Sequence, residues 1–261
     1  MKKCVYQYGN ITIFNSSLPQ IGYIARTTTV GKEYDMVEKY LDYLKNKYSK
    51  LKNKKVAIFI EPQIDTGYPD IVIVEYYNEN NFEWKGIRNS LKGIDLKILF
   101  FIQKNGKVNI NDISTILGYS LEEIRKTIDK LFLSGLVILY KNKTIIRSYK
   151  LKKYFKVNKI IAIEAKIDKW QEAIRQANNN IWFSTESYVL MNKKNCSETI
   201  INDCESLGIG IILINGKIET ILKSTKRSNP VSYASLQFNE WLMRYLNMFG
   251  GISIDESRRV I

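Results

Sequence analysis

The chain contains no histidine. That absence excludes Ser-His-Asp and Cys-His nucleophilic catalysis, histidine metal sites and nucleases with a histidine base. Any chemistry must rest on carboxylates, Lys, Tyr, Ser or Cys. Cysteine is scarce too: Cys4, Cys196 and Cys204 are odd in number and lack C-x-x-C spacing, so neither a disulfide framework nor a zinc knuckle is expected. Cys196 and Cys204 bracket a predicted helix with no base nearby, and neither reads as a nucleophile. Long apolar runs are missing. Val56–Ile60 and Ile209–Ile214 have the length of buried strands, far short of the roughly 18–20 residues of a membrane span. The opening Met-Lys-Lys is not followed by the apolar core of a signal peptide, which makes the cytoplasm the expected location and a membrane partner unexpected. There is no internal repeat and no low-complexity tract.

What the chain has in surplus is positive charge. Its 261 residues carry 40 Lys and Arg against 26 Asp and Glu, a net charge of +14. Such a surplus favours a polyanionic partner, because each phosphate neutralised releases counterions. The alternative is a Lys-rich composition that makes solvated surfaces basic without functional reason. The 45% hydrophobic and 25% charged content is that of an ordinary globular protein able to bury a full core, as one domain or two.

Periodicity organises the rest. A short strand is expected at Asn10–Phe14, then an amphipathic helix from Glu33 to Leu51, with Val37, Leu41, Leu44, Tyr48 and Leu51 at helical spacing. Strands Val56–Ile60 and Ile71–Tyr77 follow, separated by the turn segment Gln63–Tyr68. The pattern changes near residue 92. Helices are predicted at Asp95–Lys104, Ile110–Leu117 and Ser120–Leu133, the last opened by a Ser120/Glu123 capping box. A hairpin, Leu136–Tyr140 with Thr144–Tyr149, closes the module. Helix, short helix, helix and hairpin in this compass describe a winged helix-turn-helix. Strands and helices then alternate again: Lys159–Ile167, helix Asp168–Asn180, Ser187–Met191, helix Ser197–Leu207, hairpin Ile209–Ile214 with Ile218–Leu222, and helix Tyr233–Asn247. The expected architecture is one α/β domain formed by residues 1–91 and 152–261, interrupted by a module at 92–151.

Two short patterns carry candidate chemistry. In Ile160–Ile167 the flanking residues are apolar on both faces, yet Glu164 and Lys166 sit two apart near the strand end, on one face. Buried charges are costly unless paired or metal-bound; an ordinary Glu–Lys pair is the bland explanation. The other pattern is Pro69-Asp70 leading into Ile71–Val74, where the Asp by itself reads more readily as a turn residue. Carboxylates on adjacent central strands are suited to Mg²⁺, which prefers oxygen ligands and retains waters. The carbonyl of Ala165 would add another oxygen, and Lys166 would assist a bound water or stabilise charge on phosphate.

Pro69-Asp70 with Glu164-Ala165-Lys166, in the order strand, strand, helix, resembles the PD-(D/E)xK nuclease superfamily. The resemblance implies a restriction-endonuclease-like α/β fold, a mixed central sheet flanked by helices, and metal-dependent endonuclease activity on DNA, in restriction or phage defence. It implies that Asp70 and Glu164 ligate Mg²⁺, with Mn²⁺ able to substitute, and that Lys166 serves the attacking water. In the variety where the helix after the motif carries a glutamine, Gln176 would face the site; otherwise it is an exposed helix residue. Glu33 matches the acid that the first helix often contributes, with Glu61 as alternative. Cleavage of both strands would call for a homodimer. One departure stands out: Asp70 and Glu164 lie 94 positions apart, and removing residues 92–151 restores a short connection. The other reading is a non-catalytic DNA-binding or regulatory protein on a nuclease-like scaffold.

Between Asp95 and Lys153 there are twelve Lys and Arg and five Asp and Glu. On the predicted third helix Leu121, Ile124, Ile128, Leu131 and Phe132 form the core side, leaving Glu122, Arg125, Lys126, Asp129 and Lys130 outward. Arg125, Lys126 and Lys130 on this helix and Lys141, Lys143 and Arg147 on the wing are the expected DNA contacts. Glu122 and Asp129 keep a protein-interaction module in play.

Overall fold

A computed structural model describes residues 4–26, 31–51, 54–77, 84–141 and 144–250. In chain order the elements are β1 (Val5–Tyr8), β2 (Ile11–Phe14), α1 (Lys32–Ser49), β3 (Lys55–Ile60), β4 (Ile71–Tyr76), α2 (Gly93–Asn105), β5 (Lys107–Asn109), α3 (Ile110–Leu117), α4 (Leu121–Leu133), β6 (Val137–Tyr140) and β7 (Ile145–Ser148). They continue with β8 (Val157–Lys166), α5 (Trp170–Asn180), β9 (Glu186–Met191), α6 (Glu198–Leu207), β10 (Gly210–Asn215), β11 (Lys217–Leu222) and α7 (Tyr233–Phe249). No described helix is long and apolar enough to cross a membrane.

The chain divides into two compact units. The first, from the described parts of Met1–Asn78 and Val157–Val231, is a mixed eight-stranded sheet in the order β1-β2-β3-β4-β8-β9-β10-β11. Each central strand is apolar on both sides because both faces are covered. On one face α1 lays Met36, Val37, Tyr40, Leu41, Leu44 and Tyr48 against Ile58, Ile73, Ile161 and Ile163. On the other, Ala173, Ile174 and Ala177 of α5 and Ile200 and Cys204 of α6 meet Val189, Ile211 and Leu213. The two alanines allow α5 to approach β8 and β9 closely. The irregular segment after β2 is tied down by Tyr23, which is fully buried and edge-on to Phe14 and Phe59. Its hydroxyl donates to the carbonyl of Ile60 at 2.6 Å.

The second unit comprises the described parts of Glu79–Lys156 and Ser232–Ile254. Three helices, α2, α3 and α4, pack with a three-stranded sheet in the order β5-β7-β6. Gly118, at φ 72°, is the left-handed cap that turns the chain from α3 towards α4. The Ser120/Glu123 capping box is present at the start of α4. Thr127 replaces the flanking apolar residues in the helix core: Ile124, Thr127, Ile128 and Leu131 are buried, whereas Leu121 is 40% and Phe132 47% exposed. The expected core role of those two is therefore corrected. The buried stripe follows i, i+3, i+4 and i+7 from Ile124, and Phe132 lies about 100° round the helix from Leu131.

The division differs from the expected 1–91 plus 152–261 against 92–151, because α7 belongs with the winged helix. Glu240 of α7, buried, accepts from Arg88 Nε at 2.8 Å and Nη2 at 2.6 Å, and Arg88 also donates to the Tyr154 carbonyl at 2.8 Å. Arg244 donates to the Leu91 carbonyl at 2.8 Å, and Asn239 accepts the Lys156 amide at 2.8 Å. Removing one partner of such a buried pair strands the other charge. Arg88→Ala is expected to lower unfolding free energy by about 3–5 kcal/mol in urea titrations. The double variant Arg88→Met/Glu240→Leu should recover most of that loss; equal losses in both would show that packing, not the stranded charge, is responsible.

Candidate metal and nucleic-acid sites

The antiparallel register of β4 and β8 pairs Ile71 with Ile163. One step further along each strand stand Asp70 and Glu164, so the ladder itself sets the two acids opposite one another at the sheet's end. Asp70 Oδ2 accepts the Ala165 amide at 2.7 Å, and Glu164 Oε1 accepts from Asn180 Nδ2 of α5 at 2.7 Å. The Glu164 carboxyl is close enough to Asp70 to feel its charge. Lys166, the last residue of β8, places Nζ 3.2 Å from Glu33 Oε2 in the first turn of α1.

Like charges in contact, out of water, resist ionising together. Burial first and then Asp70 push the Glu164 carboxyl up to about 8, against the Asn180 hydrogen bond. Burial pushes Asp70 up to about 6, with the Ala165 amide and Lys166 opposing. For Lys166, burial pulls downward but Asp70 and the bond to Glu33 outweigh it, and its ammonium is held above the ordinary range. A cavity of about 40 Å³ adjoins the pair, lined among others by Arg26, Glu33, Glu61, Asp70 and Ala165.

Of the acids and bases expected here, Asp70, Glu164, Lys166 and Glu33 are thus brought together. Glu61 lines the same cavity, but Arg26 is its partner at 2.5 Å. Gln176 is half-buried on α5, and its Oε1 lacks a hydrogen-bond partner among the described residues. It is Asn180, one turn later, that holds Glu164. The i, i+4 spacing on α5 was the signal for it. Arg26 also escaped sequence reading, because only the Tyr23 anchor brings an irregular segment back to the sheet. Among the described residues no group of three or more Asp, Glu, Cys or His side chains is disposed to hold a metal. Two carboxylates suit Mg²⁺ nonetheless, since that ion is commonly bound by one or two protein acids with water or phosphate completing its shell. The mutual repulsion recorded in the raised Glu164 carboxyl is what a divalent cation would relieve.

In the second unit the expected contacts separate. Lys130 Nζ is 2.8 Å from Asp95 Oδ2, and Asp95 is fully buried, also accepting from Thr127 and from the Lys92 amide. Lys130, 28% exposed, is thereby paired at the edge of the interior rather than free on the outward face. Lys126 pairs with Glu122 at 2.6 Å on the exposed surface of α4. Arg125 is exposed. On the wing, Lys107 of β5 is opposite Arg147 of β7; both are exposed and share one face, with Lys107 Nζ 5.4 Å from the Tyr140 ring centre. Lys141 is exposed at the hairpin turn, and Lys143 lies outside the described residues. Lys107 was missed because β5 is only three residues long and its pairing with β7 is not local.

Residues 91–138 match the family described as winged helix-turn-helix DNA-binding. The chain carries a winged helix-turn-helix DNA-binding domain. No curated protein and no solved structure matches the chain. The matched segment covers α2 through the start of β6, so it concerns the second unit and leaves the mixed sheet and its carboxylates unassigned.

The raised acids bear on stability. A carboxyl whose pKa is higher folded than unfolded makes the folded state the tighter proton binder. Stability therefore falls as pH climbs from the unfolded value, near 4, through the folded values of about 6 and about 8. With no histidine to titrate in that window, the chelator-treated protein should melt at a lower temperature at pH 8.5 than at pH 5.5. Glu164→Gln should flatten this slope in calorimetry; an unchanged slope would mean the carboxyl pair does not cause it.

Proposed function

We propose that this protein is a DNA-binding protein whose winged helix meets the phosphate backbone largely through the outer face of its wing. The observation that carries this reading is the family match over 91–138, joined to the exposed Lys107 and Arg147 on one face of the small sheet. The exposed face of α4 adds little net charge, because Lys126 is paired with Glu122 and Lys130 with Asp95. Phosphate contacts of this kind position a domain without reading sequence, and each contributes to the salt dependence of binding. Lys107→Ala/Arg147→Ala is expected to weaken duplex DNA binding and to lower the slope of log K against log[salt] by roughly two, measured by fluorescence anisotropy. An unchanged slope would remove the wing from the interface.

A second reading is favoured by one specific observation, the meeting of the Asp70 and Glu164 carboxyls beside Lys166. By it the mixed sheet is a metal-dependent deoxyribonuclease of the PD-(D/E)xK kind, brought to DNA by the winged helix. Asp70, Glu164 and the Ala165 carbonyl would hold Mg²⁺ or Mn²⁺. The ion would supply a polarised phosphate and a more acidic water. Asn180 orients Glu164, Glu33 holds the Lys166 ammonium, and that ammonium would offset charge on a phosphoryl group. Plasmid and single-stranded DNA incubated with either metal should be cut, and Glu164→Ala and Lys166→Ala should each lower the rate by at least about 100-fold while DNA binding persists. Binding without cutting on every substrate leaves the non-catalytic reading alone.

A further inference from the structure

We propose that Arg26 is the phosphate-binding residue of the Asp70–Glu164 site, its guanidinium taking the non-bridging oxygens of a phosphodiester admitted to the cavity it lines. The phosphodiester identity rests on the hydrolytic reading above; the placement of Arg26 does not. Three main-chain segments continue the ladder beyond the strand ends. The Arg26 amide donates to the Glu61 carbonyl at 3.0 Å, the Glu61 amide donates to the Asp70 carbonyl at 3.0 Å, and Asp70 Oδ2 takes the Ala165 amide at 2.7 Å. Arg26, Glu61, Asp70 and the end of β8 are thus one transverse row.

Four features distinguish this arginine from a surface charge. It is the single cation lining the cavity, among the described residues, beside Glu33, Glu61 and Asp70. Lys166, the neighbouring cation, is committed to Glu33. Its guanidinium lies 5.9 Å from the ring centre of Tyr68, which limits its orientation. Finally, Glu61 is held at φ 46°, a left-handed conformation that is uncommon for a residue with a side chain. That conformation sets its carboxylate against Arg26 at 2.5 Å.

The Arg26 side chain is 46% exposed, and a pair so accessible contributes little to stability. Its geometry serves recognition better: the planar fork of an arginine fits a carboxylate and a phosphate alike. Glu61 Oε1 accepts from one arm of that fork, Nη2. A phosphate entering a cavity with three carboxylates needs a cation beside it, and Arg26 is the one that lines the cavity among the described residues.

The test is calorimetric titration of the full chain with the phosphodiester thymidylyl-(3′→5′)-thymidine in Ca²⁺. Arg26→Ala should weaken binding about tenfold or more, Arg26→Lys less, and Lys217→Ala, which removes an exposed lysine of β11, not at all. Melting temperatures should be little changed, as befits an exposed pair. Arg26→Ala binding as tightly as the unaltered protein, or no binding by the unaltered protein, overturns the proposal. The cleavage assay is read separately. Arg26-dependent binding without cutting of any DNA defeats the hydrolytic reading and leaves the phosphate site standing, whereas full cutting by Arg26→Ala with unaltered binding defeats only the role of Arg26.

Discussion

Two carboxyl groups set opposite one another by a strand ladder are the constraint around which the mixed sheet is arranged. The register that pairs Ile71 with Ile163 puts Asp70 and Glu164 at the same level, and burial then makes their shared negative charge expensive. Each nearby polar group answers that cost. The Ala165 amide, the Asn180 amide nitrogen and the Lys166 ammonium all lie against the pair. Glu33, Glu61 and Arg26 form the ring beyond. A sheet end with this concentration of charge is poorly explained as packing, since apolar residues would fill the space at lower cost.

The winged-helix unit has its own polar interior. Asp95 lies wholly buried at the start of α2, where it caps the helix and receives Thr127 and Lys130 from α4. Arg88 and Glu240 form a second buried polar pair, which ties residue 88 to the middle of α7. The contacts of Asp95 tie α4 to the start of α2, and they engage Lys130. What remains outward on α4 is close to neutral, while Lys107, Lys141 and Arg147 stand exposed on the wing. On the reading proposed above, the wing would supply phosphate contacts through Lys107 and Arg147, with Arg125 the exposed cation of α4 that no Glu or Asp pairs among the described residues.

Much of the architecture was legible from periodicity. Strands of five or six apolar residues and helices with a clear i, i+4 stripe, such as α1, α3 and α6, were found within a residue or two. Local signals carried them: the Ser120/Glu123 box, Gly118 and the spacing of Val37, Leu41 and Leu44. The motif residues Asp70, Glu164 and Lys166 were legible for a different reason. They are charges embedded in sequences otherwise made for burial, and such an exception stands out without any structure. Leu121 and Phe132 were misplaced because hydrophobicity alone does not say which side of a short helix meets the core.

The amino-acid order by itself determined the element types, the interruption by a helix-turn-helix and the identity of the unusual acids. Those depend on neighbours within a few turns of chain, where spacing and side-chain chemistry suffice. Tertiary structure alone decided that Arg26 and Asn180 join the acids, that Lys107 shares a face with Arg147, that Lys130 is spent on Asp95, and that α7 packs with the winged helix. Each of these is a pairing between residues far apart along the chain, and long-range pairings follow from strand register and helix docking rather than from local propensity.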